Sequence, residues 1–560
     1  MKITLIEPAS ADYHIYSKTP LPRLGLPILG AILRNAGHDV KIFCHDLHRG
    51  TPSEWFDADL VGISVTTSTS PAGYKIAQRA ARKGIPVVIG GPHSSLLPEE
   101  ALQYADFCLR FEAEQSLPML VERLREPDSW SEIPGLSYWD DGEIRHNPRP
   151  EFVNDLDSLP VPDLGLVQGN PQLHVTPMIT SRGCPYNCEF CCVKTLFGRK
   201  YRFRSADNVL DELEQVNRRW IFFYDDNFVA SPNHTKELLE GMMRRNIVPG
   251  KWLAQVRADV TRDTELLKLM KRTNCYQVFV GFESINSATL EAYNKKQNVD
   301  DIEYSISEFH RHGIKVHGMF VLGSDADTRE TVRQTVSFAR KHKIDTVQFM
   351  VLTPVPGTPF YDRMDEQGRI FTKRWELFDG LHVVHEPAQM SPFELQTEII
   401  RGMRRFYSMR ECIRQLARFQ IYNAGFRYVG KGIVNRWKRH NKPVMQQLKD
   451  VRFWDATIQP LREKTSQFRD SAVSAAQRMR NSVAETGQSV SEYATETGQK
   501  AKEYITETGQ KVREYMTETG QCVHEHMTET GQWVRDSVSD AASKISWPES
   551  EHGSDMHPQH

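Results

Sequence analysis

Long apolar stretches are missing from this chain: no run of about 18 apolar residues, the length a membrane-spanning helix needs, occurs in its 560 residues. No secretory leader is expected, since Met1-Lys2-Ile3-Thr4-Leu5-Ile6-Glu7-Pro8 reads as a strand without the apolar core of a signal peptide. Neither sign of charge dominates. With 70 Lys and Arg against 72 Asp and Glu the net charge is −2, so no global field draws the protein to nucleic acid or to an anionic membrane. Nucleic acid is therefore not expected as a partner. Cysteine is scarce, and its count of nine is odd with four residues in one cluster, which reads as metal chemistry in a reducing compartment rather than a disulfide framework. The expectation is a soluble, cytoplasmic protein. Its length exceeds what one core usually supports, so about three domains are expected.

The cysteine cluster is the most informative feature. Cys184, Cys188 and Cys191 stand in Gly183-Cys184-Pro185-Tyr186-Asn187-Cys188-Glu189-Phe190-Cys191, just after a strand expected over Val175 to Thr180. Three thiolates on one short loop grip one face of an iron–sulfur cube. A [4Fe–4S] cluster normally takes four cysteines, so three leave one iron open for a substrate or cofactor, whereas structural zinc wants a closed set of four. Cys192, adjacent to Cys191, points elsewhere in an extended loop and is a poor fourth ligand.

On either side of this loop, short apolar runs alternate with helical patterns. Ahead of it, Ile3–Ile6, Val40–Cys44, Leu60–Val65, Pro86–Gly91 and Phe107–Phe111 are strand candidates, separated by helix-like stretches such as Leu24–Ala36 and Pro71–Lys83. That alternation predicts a doubly wound parallel sheet over residues 1–140, with ligands beyond the carboxyl ends of its strands. Ser64, Thr66, Gly90, Gly91, Pro92 and His93 lie on that edge, where glycines let a backbone approach a ligand. Residues 141–171, which include the proline-rich Asp155 to Asp163, read as a linker. Beyond it, Trp220–Tyr224, Trp252–Val256, Gln277–Phe282, Lys315–Leu322 and Thr346–Leu352 join the strand before the cysteines in six βα units, a partial barrel over residues 172–385. Active sites of such barrels gather at strand carboxyl ends, where Asp226, Asn227, Arg257 and Glu283 stand. Consecutive carboxylates such as Asp225-Asp226 are costly to bury unless they meet a cation or donors.

The CxxxCxxC spacing with an aromatic before its third cysteine resembles the radical S-adenosylmethionine (radical SAM) superfamily, and the sheet in front of it resembles the cobalamin-binding domain of the B12-dependent class. The resemblance implies a [4Fe–4S] cluster on Cys184, Cys188 and Cys191, whose open iron chelates SAM so that one electron yields a 5′-deoxyadenosyl radical. It implies that Phe190 packs on the cluster, that Asp226 and Asn227 meet the methionine ammonium, and that Gly318 and Gly323 face the adenine. Glu283 either accepts from the ribose or forms a salt bridge to Arg257. Cobalamin is expected at the Ser64, Thr66 and Gly90–His93 edge, with His93 bonding a ligand amide or backbone. Two departures bear on that expectation. The Asp-x-His-x-x-Gly signature is absent, so cobalt is expected to lack a histidine ligand; and Phe111-Glu112-Ala113-Glu114 replaces the family's Gly-Glu-x-Glu turn with a residue that resists positive φ. The basic run Phe197 to Arg204 either binds an anionic group or is a helix entry with solvated arginines.

The C-terminal third carries helical periodicity over Pro392–Tyr407 and Ile413–Gln447, rich in Arg and Lys, expected as a helical cap over 386–460. Beyond it Glu485-Thr486-Gly487-Gln488 recurs at Glu496, Glu507, Glu518 and Glu529, a period of eleven that predicts a nearly straight amphipathic helix over 461–546. Its apolar stripe needs a surface: a protein partner, another copy, or lipid. Residues 547–560 are expected to be disordered.

The activity implied is C-methylation of an unactivated carbon of a small organic metabolite, with a flavodoxin- or ferredoxin-like reductant. The alternatives are oxidative cyclisation or rearrangement of a tetrapyrrole or isoprenoid-like substrate, or a non-enzymatic metal- or corrin-binding regulatory protein.

Overall fold

The computed structural model describes residues 1–10, 21–44, 47, 53–169, 173–449 and 451. The eleven-residue repeats over 461–546 and the tail over 547–560 lie outside the described residues.

Runs dense in Val, Ile, Leu and Phe build the first sheet: β1 Lys2–Glu7, β2 Asp39–Cys44, β3 Leu60–Ser64, β4 Val87–Gly90 and β5 Phe107–Leu109, followed by β6 Leu136–Asp140 and β7 Glu143–His146. The order is β2-β1-β3-β4-β5-β6-β7, with β1 to β5 parallel and the last two antiparallel. Reversal of the order between β1 and β3 makes a switch point at their carboxyl ends, where doubly wound sheets open a ligand crevice. Helix Gly25–Asn35 covers one face through Leu26 and Leu33 against Leu5 and Ile42, and helix Ser70–Ala81 covers the other through Ile76 and Ala77 against Ile63 and Ile89. Each Val, Leu or Ile so buried contributes about 1.5–3 kcal/mol. The hairpin corrects the expected end at residue 140. Asp141 (φ 48°) and Gly142 (φ 83°) form its turn, so the sheet is mixed and runs to His146. The linker that follows is not free chain, because Gln168 donates its N–H to Ile42 and Val153 donates its own to Glu112.

The second sheet contains β8 Thr176–Met178, then, after the small antiparallel pair β9 Ser181–Arg182 and β10 Arg202–Phe203, β11 Ile221–Phe223, β12 Trp252–Val256, β13 Cys275–Glu283, β14 Lys315–Leu322 and β15 Thr346–Val351. Its six strands are all parallel in the order β15-β14-β13-β12-β11-β8, so the barrel is partial, as expected. Its outer face packs Phe223, Trp252, Val280, Phe320 and Phe349 under the surrounding helices, all less than 2% exposed. Helix Pro392–Phe406 opens on a Ser391–Glu394 capping box and packs against β15 and helix Arg329–Lys341, where Gly402 would meet Val336 of that helix if it carried a Cβ. The helical stretch expected over Ile413–Gln447 is interrupted: Met409–Leu416 and Ile421–His440 are separate helices, broken where Phe419 turns left-handed (φ 57°), and after a turn at Asn441 residues 442–449 are helical again.

Candidate functional site

The cysteines sit on a loop closed at its base by β9 and β10, which pair Arg182 with Arg202 and Ser181 with Phe203. Gly183 begins it at φ 84°, where a Cβ would lie 2.6 Å from the Lys200 carbonyl, so no other residue fits this turn. Inside the loop, Cys191 donates its N–H to the Cys188 carbonyl (3.2 Å), Glu189 donates to the Tyr293 carbonyl (3.3 Å) and accepts from the Phe360 N–H (3.2 Å). Phe190 packs edge-on to Tyr293 at 5.1 Å and joins the cluster of Val321, Leu352 and Phe360. Cys184, Cys188, Cys191 and Cys192 are all half-buried. Burial raises the thiol pKa of each above its ordinary value, so their thiolates call for an electrophilic partner. Among the described residues no three His, Cys, Asp or Glu are grouped to hold a single metal ion. A cube that takes each thiolate on a different iron asks for wider separation.

Two carboxylates follow β11 and have different fates. Asp225 is buried and accepts from the Thr180 N–H and hydroxyl (both 3.0 Å) and from the Ser181 hydroxyl, which ties this strand end to the strand entering the cluster loop. Asp226 is exposed to solvent, yet protein lies close about its carboxylate. Burial pushes both up to about 6, with Asp225 adding to the shift of Asp226. The buried Oδ1 of Asn227 and Oδ2 of Asp225 have no hydrogen-bond partner. A ligand bearing N–H donors fits this constellation.

Arg257 stacks on Tyr186 of the cluster loop at 3.8 Å and pairs with Asp259 at 3.3 Å. The Arg257–Glu283 salt bridge posed as an alternative does not form. Glu283 adopts a left-handed φ of 61° at a bulge in β13 and pairs at 2.8 Å with Lys295, both side chains about nine-tenths buried. Lys295 carried no sequence signal. Gly281 permits the pairing, since a Cβ there would lie 2.5 Å from the Glu283 carboxylate.

Gly318 needs correction. A Cβ on it would meet Phe320 and Ile344, so its bare face opens to the helix layer and not to an adenine, while Val321 of the same strand joins Phe190 in its apolar cluster. Gly323, at φ 110° and 2.6 Å from Leu395 if it bore a Cβ, serves a turn in which its N–H reaches Asp327 and its carbonyl accepts from His385.

On the first sheet, Ser64 ends β3 and its carbonyl accepts from Arg23, while Thr66 and Thr69 cap each other at the next turn. Gly91 has φ 99°, and a Cβ there would sit 2.7 Å from the Val65 carbonyl; with half-buried Gly90 and Pro92 it forms an edge only glycine can supply. His93 departs from its expected role. Its ring is fully buried, with Nε2 3.2 Å from Glu100 and its edge on Trp375 at 5.2 Å, so it faces a packed junction rather than a crevice. Phe111 does adopt positive φ (67°), bonding its N–H to Ser95 at 2.7 Å under the Arg149 guanidinium, so the turn survives its missing glycine.

That turn also joins the two sheets. Glu112 accepts two hydrogen bonds from Arg202 (2.7 and 2.9 Å) and lies 3.2 Å from Arg182, which also reaches Glu114 at 2.5 Å. Arg182 directly precedes Gly183, so the buried lattice clamps the entrance of the cysteine loop to the end of β5. Arg202 and Arg204 are therefore neither solvated nor free for an anion, as Arg204 pairs with Glu212.

Comparison with known proteins decides what this arrangement belongs to. The model of the radical SAM superfamily matches residues 178–339, and that of the B12 binding domain matches residues 13–121. An uncharacterized methyltransferase of Pyrococcus horikoshii is 30% identical over 409 residues, covering 69% of this chain and 87% of the relative. The chain belongs to the cobalamin-dependent radical SAM family. A second relative, the bacteriochlorophyllide d C-12(1)-methyltransferase of Chlorobaculum tepidum, is 27% identical over 391 residues, 68% of this chain and 81% of that protein. The fold is shared with the radical SAM methyltransferase TsrM of Kitasatospora setae, solved with cobalamin and a [4Fe–4S] cluster bound (TM-score 0.55, 21% identity, 65% of this chain and 75% of that one).

As a member of this family the protein is an enzyme of small-molecule chemistry, and its cofactors are a [4Fe–4S] cluster, SAM and cobalamin. The reading as a non-enzymatic regulatory module falls. The residues present fit these groups: three half-buried thiols on one loop, unpartnered acceptors beside them, and a glycine edge at the carboxyl end of β4, next to the strand pair at the switch point. No helix among the described residues is long and apolar enough to cross a membrane.

Proposed function

We propose that this enzyme methylates an unactivated carbon of an organic metabolite, with Cys184, Cys188 and Cys191 holding the cluster and the edge formed by Ser64, Thr66, Gly90, Gly91 and Pro92 holding cobalamin. When bound, these groups supply one-electron cleavage of SAM and a transferable methyl. The observation that carries the reading is the Glu112–Arg202–Arg182–Glu114 lattice, because it fixes the end of β5 against the cysteine loop and so holds the two ligand edges in one register.

The chain's own residues have separable tasks. Asp226 and the Asn227 side-chain oxygen accept from the SAM ammonium, and Lys295 offers its positive charge to the carboxylate while Glu283 holds it in place. Arg257 positions the cysteine loop through Tyr186. Phe190 and Val321 exclude water from the side of the loop facing β14.

We assign electron supply to a flavodoxin- or ferredoxin-like reductant, the cytoplasm as the compartment, and attachment to a protein partner as the role of the 461–546 repeats. Anaerobic reconstitution with substrate, SAM and dithionite tests the central reading. S-adenosylhomocysteine formed beside 5′-deoxyadenosine supports methylation, whereas 5′-deoxyadenosine alone points to cyclisation or rearrangement.

A further inference from the structure

The near-neutral total charge conceals one strongly polarised region. Between Arg401 and Lys449 the chain carries thirteen Arg and Lys against a single acid, Glu411, which is buried and already bonded to Arg340 and Arg414; of the cations Arg427 is itself buried and Arg401 pairs with Glu398, while Arg410 and Arg418 stand exposed at the helical hairpin. The same region holds the largest group of exposed apolar side chains among the described residues. Met409, Ile413 and Leu416 recur at one face of helix Met409–Leu416, with Ile413 61% exposed, and Phe419 (92%) and Ile421 (75%) continue that surface around the turn. Tyr428 and Val429 extend it along the next helix.

The turn itself favours a ring that is wanted outside. The Gln420 N–H closes on the Gln415 carbonyl, leaving Phe419 left-handed at φ 57°, the position after a helix that glycine normally takes. A bulky apolar residue held there, in strain and almost fully in water, gains nothing within the fold.

This surface lies away from the chemistry. Helix Ile421–His440 begins against the amino ends of the barrel strands, with Tyr422 on Tyr276 at 5.3 Å and Asn423 donating to Asp345 at 2.8 Å. The cysteine loop stands at the carboxyl ends.

We propose that the Met409–Val429 helical hairpin is a monotopic membrane contact that seats its apolar tip in an anionic bilayer while its exposed arginines, Arg410 and Arg418, meet lipid phosphates. Exposed apolar patches rimmed by polar residues mark interaction sites, and an apolar tip with a basic surround is the pattern that binds bilayer interfaces. Arg410 and Arg418 are exposed next to Met409 and Phe419 in sequence, and long basic side chains of this kind reach lipid headgroups while their stems lie along apolar surface. A membrane here leaves the opposite, catalytic end open to solvent.

Flotation of the full-length reconstituted enzyme with vesicles tests this. Vesicles of equal parts phosphatidylcholine and phosphatidylglycerol should carry the protein, phosphatidylcholine alone should not, and raised salt should release it. Ile413→Ser with Phe419→Ser should remove binding, and Phe419→Leu should keep it. Arg410→Gln and Arg418→Gln should each weaken partition about fivefold. All five substitutions should leave the rate of SAM cleavage unchanged. The proposal is overturned if the wild type ignores anionic vesicles, if binding survives the Ile413 and Phe419 changes, or if the patch instead mediates a dimer or RNA binding that those changes abolish.

Discussion

The two ligand edges of this enzyme are prepared in opposite ways. At the barrel edge, charge and unpartnered polar atoms dominate: Asp226 stands exposed, Asn227 and Asp225 each keep a buried oxygen without a partner, and Lys295 is held by Glu283. At the first sheet the preparation is in the backbone. Gly91 adopts a conformation closed to other residues, while the one titratable side chain expected there, His93, is consumed by Glu100 and Trp375. A site built on charge recognises a zwitterion such as the methionine end of SAM; a site built on backbone shape suits a broad, largely uncharged macrocycle. The difference teaches that the two edges should fail differently when damaged.

The largest effect belongs to the cysteine loop. Cys188→Ala should abolish the cluster, dropping iron from about four per chain and eliminating 5′-deoxyadenosine, while cobalamin binding stays near wild type. Cys192→Ala should leave both intact. Iron analysis and product chromatography on the same preparations decide it. If Cys192→Ala loses the cluster as completely as Cys188→Ala, the ligand set is wrong.

Next in size is the clamp between the edges. Glu112→Ala strands Arg202 and leaves Arg182 with Glu114 alone, in a site where both side chains are under 10% exposed, and removing one partner of a buried pair costs about 3–5 kcal/mol. Chemical unfolding should show that loss. Asp57→Ala, which breaks the solvent-exposed Lys2–Asp57 pair, should leave the unfolding midpoint near that of the wild type. Equal losses from the two would mean that the lattice is not what binds the two edges together.

Much of this frame was legible in the sequence, and what was not has physical reasons. Strands β12 and β14 follow from their apolar runs to the residue, because buried parallel strands read as continuous hydrophobic segments. That same continuity hides which face each residue takes, and so Gly318 was assigned to a ligand when it opens toward Phe320. The β6–β7 hairpin did announce itself, through Asp141-Gly142 between alternating residues, a signal overshadowed by the expectation of a parallel sheet. The Glu112–Arg202 contact joins residues 90 apart, and nothing local distinguishes a buried arginine from a solvated one.

A smaller effect sharpens the contrast from the first sheet's side. Gly91→Ala forces a Cβ to within 2.7 Å of the Val65 carbonyl at φ 99° and should cost about 1–3 kcal/mol. Its signature should be lost cobalamin in the purified enzyme, read from the visible spectrum, with the iron content retained. Loss of iron together with corrin would show that the two edges are one cooperative unit.

The finest test uses pH. Asp226 has an ordinary value of 3.8 and is pushed up to about 6 by burial and by Asp225, which itself is raised to about 6. A carboxyl whose pKa is raised in the folded chain holds its proton more tightly there than when unfolded, so the ligand-free fold loses stability as pH rises from 3.8 through about 6. An ammonium ligand reverses the preference, because it binds the ionised form. SAM affinity of the reconstituted enzyme should therefore be flat above about 6 and fall as pH drops below it, at up to about tenfold per pH unit. Asp226→Asn should weaken binding at neutral pH and flatten that profile, since the amide offers an acceptor without a titration. Cobalamin binding, resting on Gly91 and its neighbours rather than on a carboxylate, should show no such slope. Equilibrium dialysis of both ligands between pH 5 and 8 separates the cases: a SAM profile that keeps its slope in Asp226→Asn would move the ammonium contact to Asp225 or away from this strand end altogether.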